Sequence, residues 1–319
     1  MNDTPLIAHH ASCPDGMTAA WWLRRNLPEE WGLAELMPVS YGPPAQVEAC
    51  AGRRVFVVDF CFPAAELDAI AAVAMSLVVM DHHHTAEALL AESSLTMFGS
   101  IAEWGEHDVE LAWDTPVAIL DQYRSGAGIV AEWVAVTSGV RPPAFVVNVE
   151  DRDLWKFTLP DTEAVSAAIG SYPYEISAWD ALAEMRHDEI VDQGKAISRY
   201  RKQMIQAVAA STFQVNIAGH QVPCVTSPYM IGSDVADVLA NQNPEGIAAY
   251  CIFHADEVQV GLRSRGGADV AAMAEQYRGG GHKAASGFRV PWAQWFEMCG
   301  KMTPEDCHET LQSITGVVD

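Results

Sequence analysis

Short apolar runs alternate with helical stretches through the first half of the chain, and polar residues gather where the runs end. Leu6 to Ala8 reads as a brief strand, and after Asp15-Gly16 the segment Met17 to Leu27 has a helical composition closed by Pro28. Arg54-Val-Phe-Val-Val58 is a continuous β-branched and aromatic run, the pattern of a strand buried on both faces. It stops at Asp59, and Pro63 then suits the first turn of a helix running to Val73. Ser76-Leu-Val-Val-Met80 is a third strand, ended by Asp81. Strand, helix, strand, helix predicts a parallel α/β sheet. His9, His10, Asp59, Asp81, His82, His83 and His84 all fall just past the carboxyl ends of these strands. That edge is where open α/β sheets bind ligands.

Farther along, Ser125-Gly-Ala-Gly128 opens another helix, and Pro142-Pro143 closes the loop that follows it. The apolar segment Phe145 to Val149 runs into Glu150-Asp-Arg-Asp-Leu-Trp155. From Trp179 to Ala210 the pattern is helical without a proline. Domain boundaries follow: a metal-binding α/β domain over 1–185, a helical connection over 186–211, and a smaller α/β domain over 212–319. In the second domain, strands are predicted near 213–217, 222–226, 247–254 and 258–263, with helices near 233–241 and 269–278. There is no internal repeat.

Composition narrows the class. The chain has 319 residues, half of them hydrophobic, enough for one large or two ordinary domains with a proper core. No run reaches the ~18 apolar residues of a membrane span, and the early polar residues of the N-terminus do not read as a signal peptide. Seven cysteines without a Cys-x-x-Cys pair point to reduced thiols in a cytoplasmic protein. Nineteen basic residues against 42 acidic ones leave a net charge of −23. Nucleic-acid affinity rests on neutralising phosphates, so this balance argues against a duplex-DNA binder and leaves short phosphorylated substrates open.

Asp81-His-His-His84 places a carboxylate and three imidazoles at one strand end. By itself it reads equally as a metal site or as a plain polar element, either an exposed turn or a helix start with Asp81 as N-cap. Beside His10, Asp15 and Asp59 it reads as a metal centre. Imidazole and carboxylate without a thiolate pair suit Mn2+, Mg2+ or another divalent ion, and two such ions form the clamp used for phosphoryl displacement. Asp59 is the natural bridge. His10 and Asp15 would hold the first ion, and His82 with Asp151 or Asp153 the second. The string Gly279-Gly-Gly-His-Lys-Ala-Ala-Ser-Gly287 reads either as a plain turn or as a backbone nest for phosphate, and His282 and Lys283 favour the nest. Arg263 and Arg265 add guanidinium donors. Ser125 reads as a helix N-cap whose hydroxyl and amide could reach a phosphate. Trp155 and Trp179 are candidates for base stacking, with burial the simpler reading for both.

The order His10…Cys-Pro-Asp15-Gly, Val-Val-Asp59, Asp81-His-His, Asp151-Arg-Asp153-Leu-Trp, Arg263-Ser-Arg and Gly-Gly-Gly-His282-Lys-Ala-Ala-Ser-Gly-Phe288 resembles the DHH phosphoesterases with their associated C-terminal domain. The motifs span nearly the whole chain. The resemblance implies a manganese-dependent hydrolase, normally with two ions, whose active site lies in the cleft between the two domains. It implies His10, Asp15, Asp59, His82 and Asp151 or Asp153 as ligands. His83 would contact the scissile phosphate, Asp81 would support the histidines, and Arg263, Gly280, Gly281 and His282 would contact substrate. One departure stands out. The family's first motif commonly has two aspartates spaced D-x-D, whereas here Cys13 and Met17 flank a lone Asp15; His84 is a further candidate to make up the set.

The expected activity is hydrolysis of phosphodiesters in short oligonucleotides or cyclic dinucleotides to nucleoside monophosphates by metal-activated water. The alternatives are a pyrophosphatase or exopolyphosphatase, and a non-catalytic nucleotide- or RNA-binding module. No membrane partner is expected, and the oligomeric state is open, a homodimer included.

Overall fold

The computed structural model describes residues 4–106 and 115–300. The chain divides into two compact units, Met1–Ser198 and Arg199–Asp319. The division falls inside the segment predicted to connect the domains.

The first unit begins β1 (Leu6–His10), α1 (Pro14–Asn26), β2 (Glu35–Val39), α2 (Val47–Cys50), β3 (Arg54–Val58), α3 (Ala64–Val73) and β4 (Ser76–Asp81). It continues with α4 (Ala86–Glu92), β5 (Thr96–Phe98), α5 (Ile101–Glu106) and β6 (Val117–Leu120). The six strands form a parallel sheet in the order β2-β1-β3-β4-β6-β5. Alternate residues feed opposite faces, as the pleat requires. Ile7, Phe56, Val58, Val78 and Met80 enter one core with α1, whereas Leu6, Val55, Val57, Leu77 and Val79 enter the other with α3. A sheet covered on both sides explains why β3 and β4 are apolar throughout. The chain leaves β1 toward β2 and then returns to place β3 on the other flank. The carboxyl ends of β1 and β3 therefore bound a topological switch point.

Four helices complete the first core: α6 (Gly126–Ser138), α7 (Ala144–Asp153), α8 (Thr162–Ile169) and α9 (Ile176–Glu184). The apolar run 145–149 is helical because its burial follows a helical period. Phe145, Val146 and Val149 are buried while Val147 is 46% exposed. The pattern read as one helix from Trp179 to Ala210 is two, α9 and α10 (His187–Ala209). Met185 is extended, and the Arg186 amide donates to Glu189 Oε2 at 3.1 Å, half of a capping box that starts α10.

The second unit contains β7 (Phe213–Ile217), β8 (His220–Thr226), α11 (Tyr229–Gln242), β9 (Ile247–Phe253) and β10 (Glu257–Ser264). It ends with α12 (Val270–Glu275), β11 (Gly280–His282), β12 (Ala285–Pro291) and α13 (Trp292–Met298). The sheet order is β11-β12-β10-β9-β8-β7, antiparallel except for the β8–β9 pair. The glycine string therefore does not form the phosphate nest expected of it. Gly280 to His282 pairs with Ala285 to Gly287 as a hairpin. A Cβ on Gly281, whose φ is +139°, would lie 2.7 Å from Ala285 O. Close strand approach accounts for that glycine. Six cysteines are free; Cys307 lies outside the described residues. No helix among the described residues is long and apolar enough to cross a membrane.

Candidate metal centre

The strand ends and helix starts of the first unit converge on one carboxylate. Asp59 follows β3 directly, is 1% exposed, and has left-handed backbone at φ +55°, a conformation that Asp tolerates better than most residues. β1 delivers His10, and the turn after it delivers Cys13 at the N-cap of α1 and Asp15 in its first turn. β4 ends in Asp81, followed by His82 and His83. The last residue of α7 is Asp153. The N-terminus of α6 closes in beside them. A Cβ on Gly126 would sit 2.6 Å from the Asp59 Cβ and 2.9 Å from Asp15 Oδ2, so only glycine admits this approach.

Asp59 uses its two oxygens differently. Oδ1 is 3.2 Å from His82 Nε2, and Oδ2 is 3.6 Å from His10 Nδ1. His82 Nε2 also lies 3.4 Å from Asp153 Oδ2. Three donor groups result, each with its ligand atoms within 4.8 Å of one another: His10, Cys13 and Asp59; Asp15, His82 and Asp153; and Asp59, Asp81, His82 and His83. Asp15 thus groups with His82 and Asp153, not with His10 as the motif order had suggested.

The charges of this cluster are unbalanced in a way that a cation would correct. Burial pushes the Asp15 carboxyl well up, with Asp59 and Asp153 adding repulsion. Burial and Asp59 likewise raise Asp153, and burial with Asp59 and Asp15 raises the Cys13 thiol. Burial would also raise Asp59, but the imidazoles of His10, His82 and His83 hold it below the ordinary carboxylate range. His82 is pushed up to about 9: burial opposes its charge, and Asp59, Asp15 and Asp153 together prevail. His10 Nδ1 and Asp59 Oδ2 are buried without a hydrogen-bond partner. Buried polar atoms left unpaired are costly. An imidazole nitrogen and a carboxylate oxygen that converge while lacking partners fit a divalent ion.

Asp81 is fully buried and organises the turn. Its Oδ1 accepts from the amides of His82 at 2.8 Å and His83 at 3.4 Å and pairs with His83 Nδ1 at 2.7 Å. It caps no helix, since α4 begins after Thr85. Burial works against the His83 imidazolium, yet Asp81 keeps its pKa above the ordinary value.

Several predicted site residues stand elsewhere. Asp151 faces away from the cluster: its carboxylate accepts from Thr158 N and Oγ1, Leu159 N and Thr162 Oγ1. Helical geometry explains this, because positions two apart on a helix point to different sides. Ser125 is fully buried and its hydroxyl is committed, donating to Asp15 Oδ1 at 2.7 Å and accepting from Gly128 N at 3.2 Å. It therefore positions Asp15 and caps α6, and its hydroxyl proton is taken by Asp15. His84 is exposed, with Glu87 as its neighbour at 3.6 Å. Met17 is buried in the apolar core. Trp179 is fully buried and donates to Thr18 Oγ1 at 2.9 Å, which removes it as a base platform. His9 is buried and belongs to none of the donor groups.

In the second unit, Arg263 on β10 bonds Ser233 Oγ and the carbonyl of Leu262. Arg265 forms a fork with Asp237 at 2.6 and 2.9 Å. Gly280 and Gly281 lie on β11, and Lys283 is exposed at the hairpin turn. The side chain of His282 lies outside the described part of the structure. Cys13, which the sequence showed only as a neighbour of the lone Asp15, joins a donor group with His10 and Asp59. Its signal was present, since an N-cap residue of α1 must lie beside the end of β1.

Residues 230–300 match the DHHA1 domain. The match lies wholly within the second unit. The second unit carries a DHHA1 domain. Among solved structures, RecJ of Thermus thermophilus in complex with Mn2+ superimposes with a TM-score of 0.51 at 15% identity, covering 92% of this chain and 50% of RecJ. An exopolyphosphatase-related protein of Bacteroides fragilis gives 0.50 at 13% identity, over 98% and 91% of the two chains. These likenesses are likenesses of fold. An uncharacterized protein of Acanthamoeba polyphaga mimivirus, R106, is 23% identical over 303 residues, covering 88% of this chain. The chain spans 66% of that viral protein and half of RecJ.

Proposed function

We propose that this chain is a DHH phosphoesterase, a divalent-metal-dependent hydrolase of phosphodiesters in short nucleotide substrates that releases nucleoside monophosphates. One observation carries the reading: Asp59 lies between the His10–Cys13 group and the His82–Asp153 group, and His10 Nδ1, Asp59 Oδ2 and Asp81 Oδ2 are buried there without hydrogen-bond partners. His10, Cys13 and Asp59 would hold one ion, and Asp15, Asp59, His82 and Asp153 a second. Manganese is the ion we favour, for a donor set dominated by imidazole and carboxylate. Such ions supply Lewis acidity toward phosphoryl oxygens and lower the pKa of water.

The protein's own contribution is placement and proton control. Asp59 is held by a buried strand, and its amide donates to Met80 O at 2.9 Å, which fixes the carboxylate against drift. Asp81 takes up one nitrogen of His83 and leaves Nε2 as the remaining donor, suited to a phosphoryl oxygen or a leaving group. Ser125 and the α6 amide of Ala127 orient Asp15. In the second unit, Arg263, the β11–β12 hairpin and Lys283 are the substrate contacts we favour. The net charge of −23 supports short substrates over long polymers.

A screen with Mn2+ against short RNA and DNA oligomers, cyclic dinucleotides and polyphosphate tests the reading. Turnover of the nucleotides is expected, and Asp59→Asn should reduce it at least ~100-fold while the fold survives. A folded Asp59→Asn protein of near-normal activity would remove Asp59 from the centre of the scheme.

A further inference from the structure

Two large aromatics stand in solvent just after the last carboxylate of the metal centre. Trp155 is 56% exposed and Phe157 is 42% exposed, and their rings meet edge-on at 5.3 Å. Both have left-handed backbone, with φ of +53° and +49°. A bulky residue in that conformation is an outlier. A fold commonly offsets such strain by burying the side chain, and here both side chains are left in water. Strain that persists without burial points to a functional element.

Asp151 is what holds the strained loop. Its carbonyl accepts from the amides of Lys156 at 2.9 Å and Phe157 at 3.4 Å. Its carboxylate takes the four bonds from Thr158, Leu159 and Thr162. The Arg152 guanidinium lies 4.0 Å from the centroid of the Trp155 ring and 5.2 Å from that of Phe157. The cation therefore backs the aromatic pair. A cavity of about 300 Å³ opens beside them, lined by Pro14, Asp15, Val149, Arg152, Asp153 and Trp155 among others. Asp15 and Asp153 also belong to a donor group of the metal centre. The cavity thus has two residues of the metal centre in one part of its wall and Trp155 in another.

We propose that Trp155, backed by Arg152 and Phe157, is a nucleobase-stacking subsite of the metal centre. The substrate it takes is a nucleotide whose base stacks on the indole while its phosphate lies at the Asp15–Asp153 carboxylates through their bound cation. The inference rests on the phosphoesterase reading for the phosphate and adds the identity of the group attached to it. It disfavours polyphosphate, which has no base. Stacking of this kind is tolerant of sequence, because every base presents a π face. It also gives the two aspartates of Asp151-Arg-Asp153 separate tasks: Asp153 faces the ion, and Asp151 braces the aromatic loop.

Calorimetric titration of the full chain with Mn2+ present, using adenosine 5′-monophosphate and base-free ribose 5-phosphate, tests this directly. The native protein should prefer the nucleotide. In Trp155→Ala the ratio of the two affinities should fall about tenfold, and Trp155→Phe, which keeps a ring, should recover most of it. Should the alanine variant fail to fold, Trp155→Leu keeps an apolar side chain without a π face and reports the same ratio. An unchanged ratio in the truncated variant, or a native protein that binds the two ligands equally, overturns the subsite. A protein that hydrolyses no phosphodiester but shows the expected ratios would sink the phosphoesterase reading and leave the subsite standing.

Discussion

Cys13 and Met17 flank Asp15 at the two positions where a second carboxylate could stand, and the fold treats them in opposite ways. Met17 points into the apolar core formed with Trp21 and Phe56 and is 2% exposed. Cys13 has its sulfur within 4.8 Å of ligand atoms of His10 and Asp59. A carboxylate at position 13 would join existing donors, whereas one at position 17 would be a buried charge without a partner. Cys13→Asp should therefore fold normally and tighten Mn2+ binding, because oxygen suits this ion better than sulfur does. Met17→Asp should cost about 3–5 kcal/mol of stability, the usual penalty of an uncompensated buried charge. Titration calorimetry and thermal melting of the two variants check the pair. Tighter binding in a stable Met17→Asp protein would reverse the assignment. Spacing could not choose between the two positions, since both lie two residues from Asp15. The choice depends on which way the start of α1 faces, and that is a tertiary fact.

At the scale of the element, α7 shows how one helix end serves two purposes. Asp153 faces the metal centre, while Asp151 collects four hydrogen bonds from the segment that follows. Burial works against its charge, yet these bonds bring the Asp151 carboxyl down to about 2. A carboxyl lowered on folding stabilises the protein above its unfolded pKa of ~3.9. That stabilisation is lost as pH falls from there through the folded value. Asp151→Asn, which offers one acceptor and an unwanted amide donor, should destabilise the metal-free protein by about 2–3 kcal/mol at neutral pH. The gap between variant and native melting temperatures should close between about pH 4 and pH 2. A gap that persisted at pH 2 would mean that the loop is held by something other than the ionised carboxylate. The doubled aspartate was visible in the sequence, but its division of labour depends on the helix, and Phe145 to Val149 could have been strand or helix by composition. The glycine string misled for a related reason. Glycines that permit a nest also permit two strands to approach closely, and only the pairing of β11 with β12 separates the two outcomes. By contrast β3 and β4 were plain, because a strand buried on both faces has no polar position to blur it.

The whole molecule carries a charge of −23, and the metal centre must work inside that field. The strand-end carboxylates and imidazoles were legible because parallel sheets expose their carboxyl ends; which donors share an ion was not, because grouping depends on side-chain direction. Charge bears on the substrate as well as on the fold. On the proposed reading a dinucleotide would place few phosphates near the protein, where bound cations would offset the local negative charge. A strand of about 20 nucleotides must run most of its phosphates across an acidic surface, at separations comparable to the Debye length of ~10 Å at 0.1 M salt. Raising salt screens that repulsion while leaving the close contacts at the centre less affected. With free Mn2+ held constant, kcat/KM on a dinucleotide should therefore change less than ~2-fold between low and ~0.3 M salt, while on the longer strand it should rise several-fold. This is the opposite sign to that of a basic nuclease, whose affinity falls with salt as counterions are released. Steady-state rates on the two substrates across a salt series decide the matter. A longer strand that is cleaved more slowly as salt rises would mean that a local basic track, with Arg263 and Lys283 among its members, outweighs the charge of the chain as a whole.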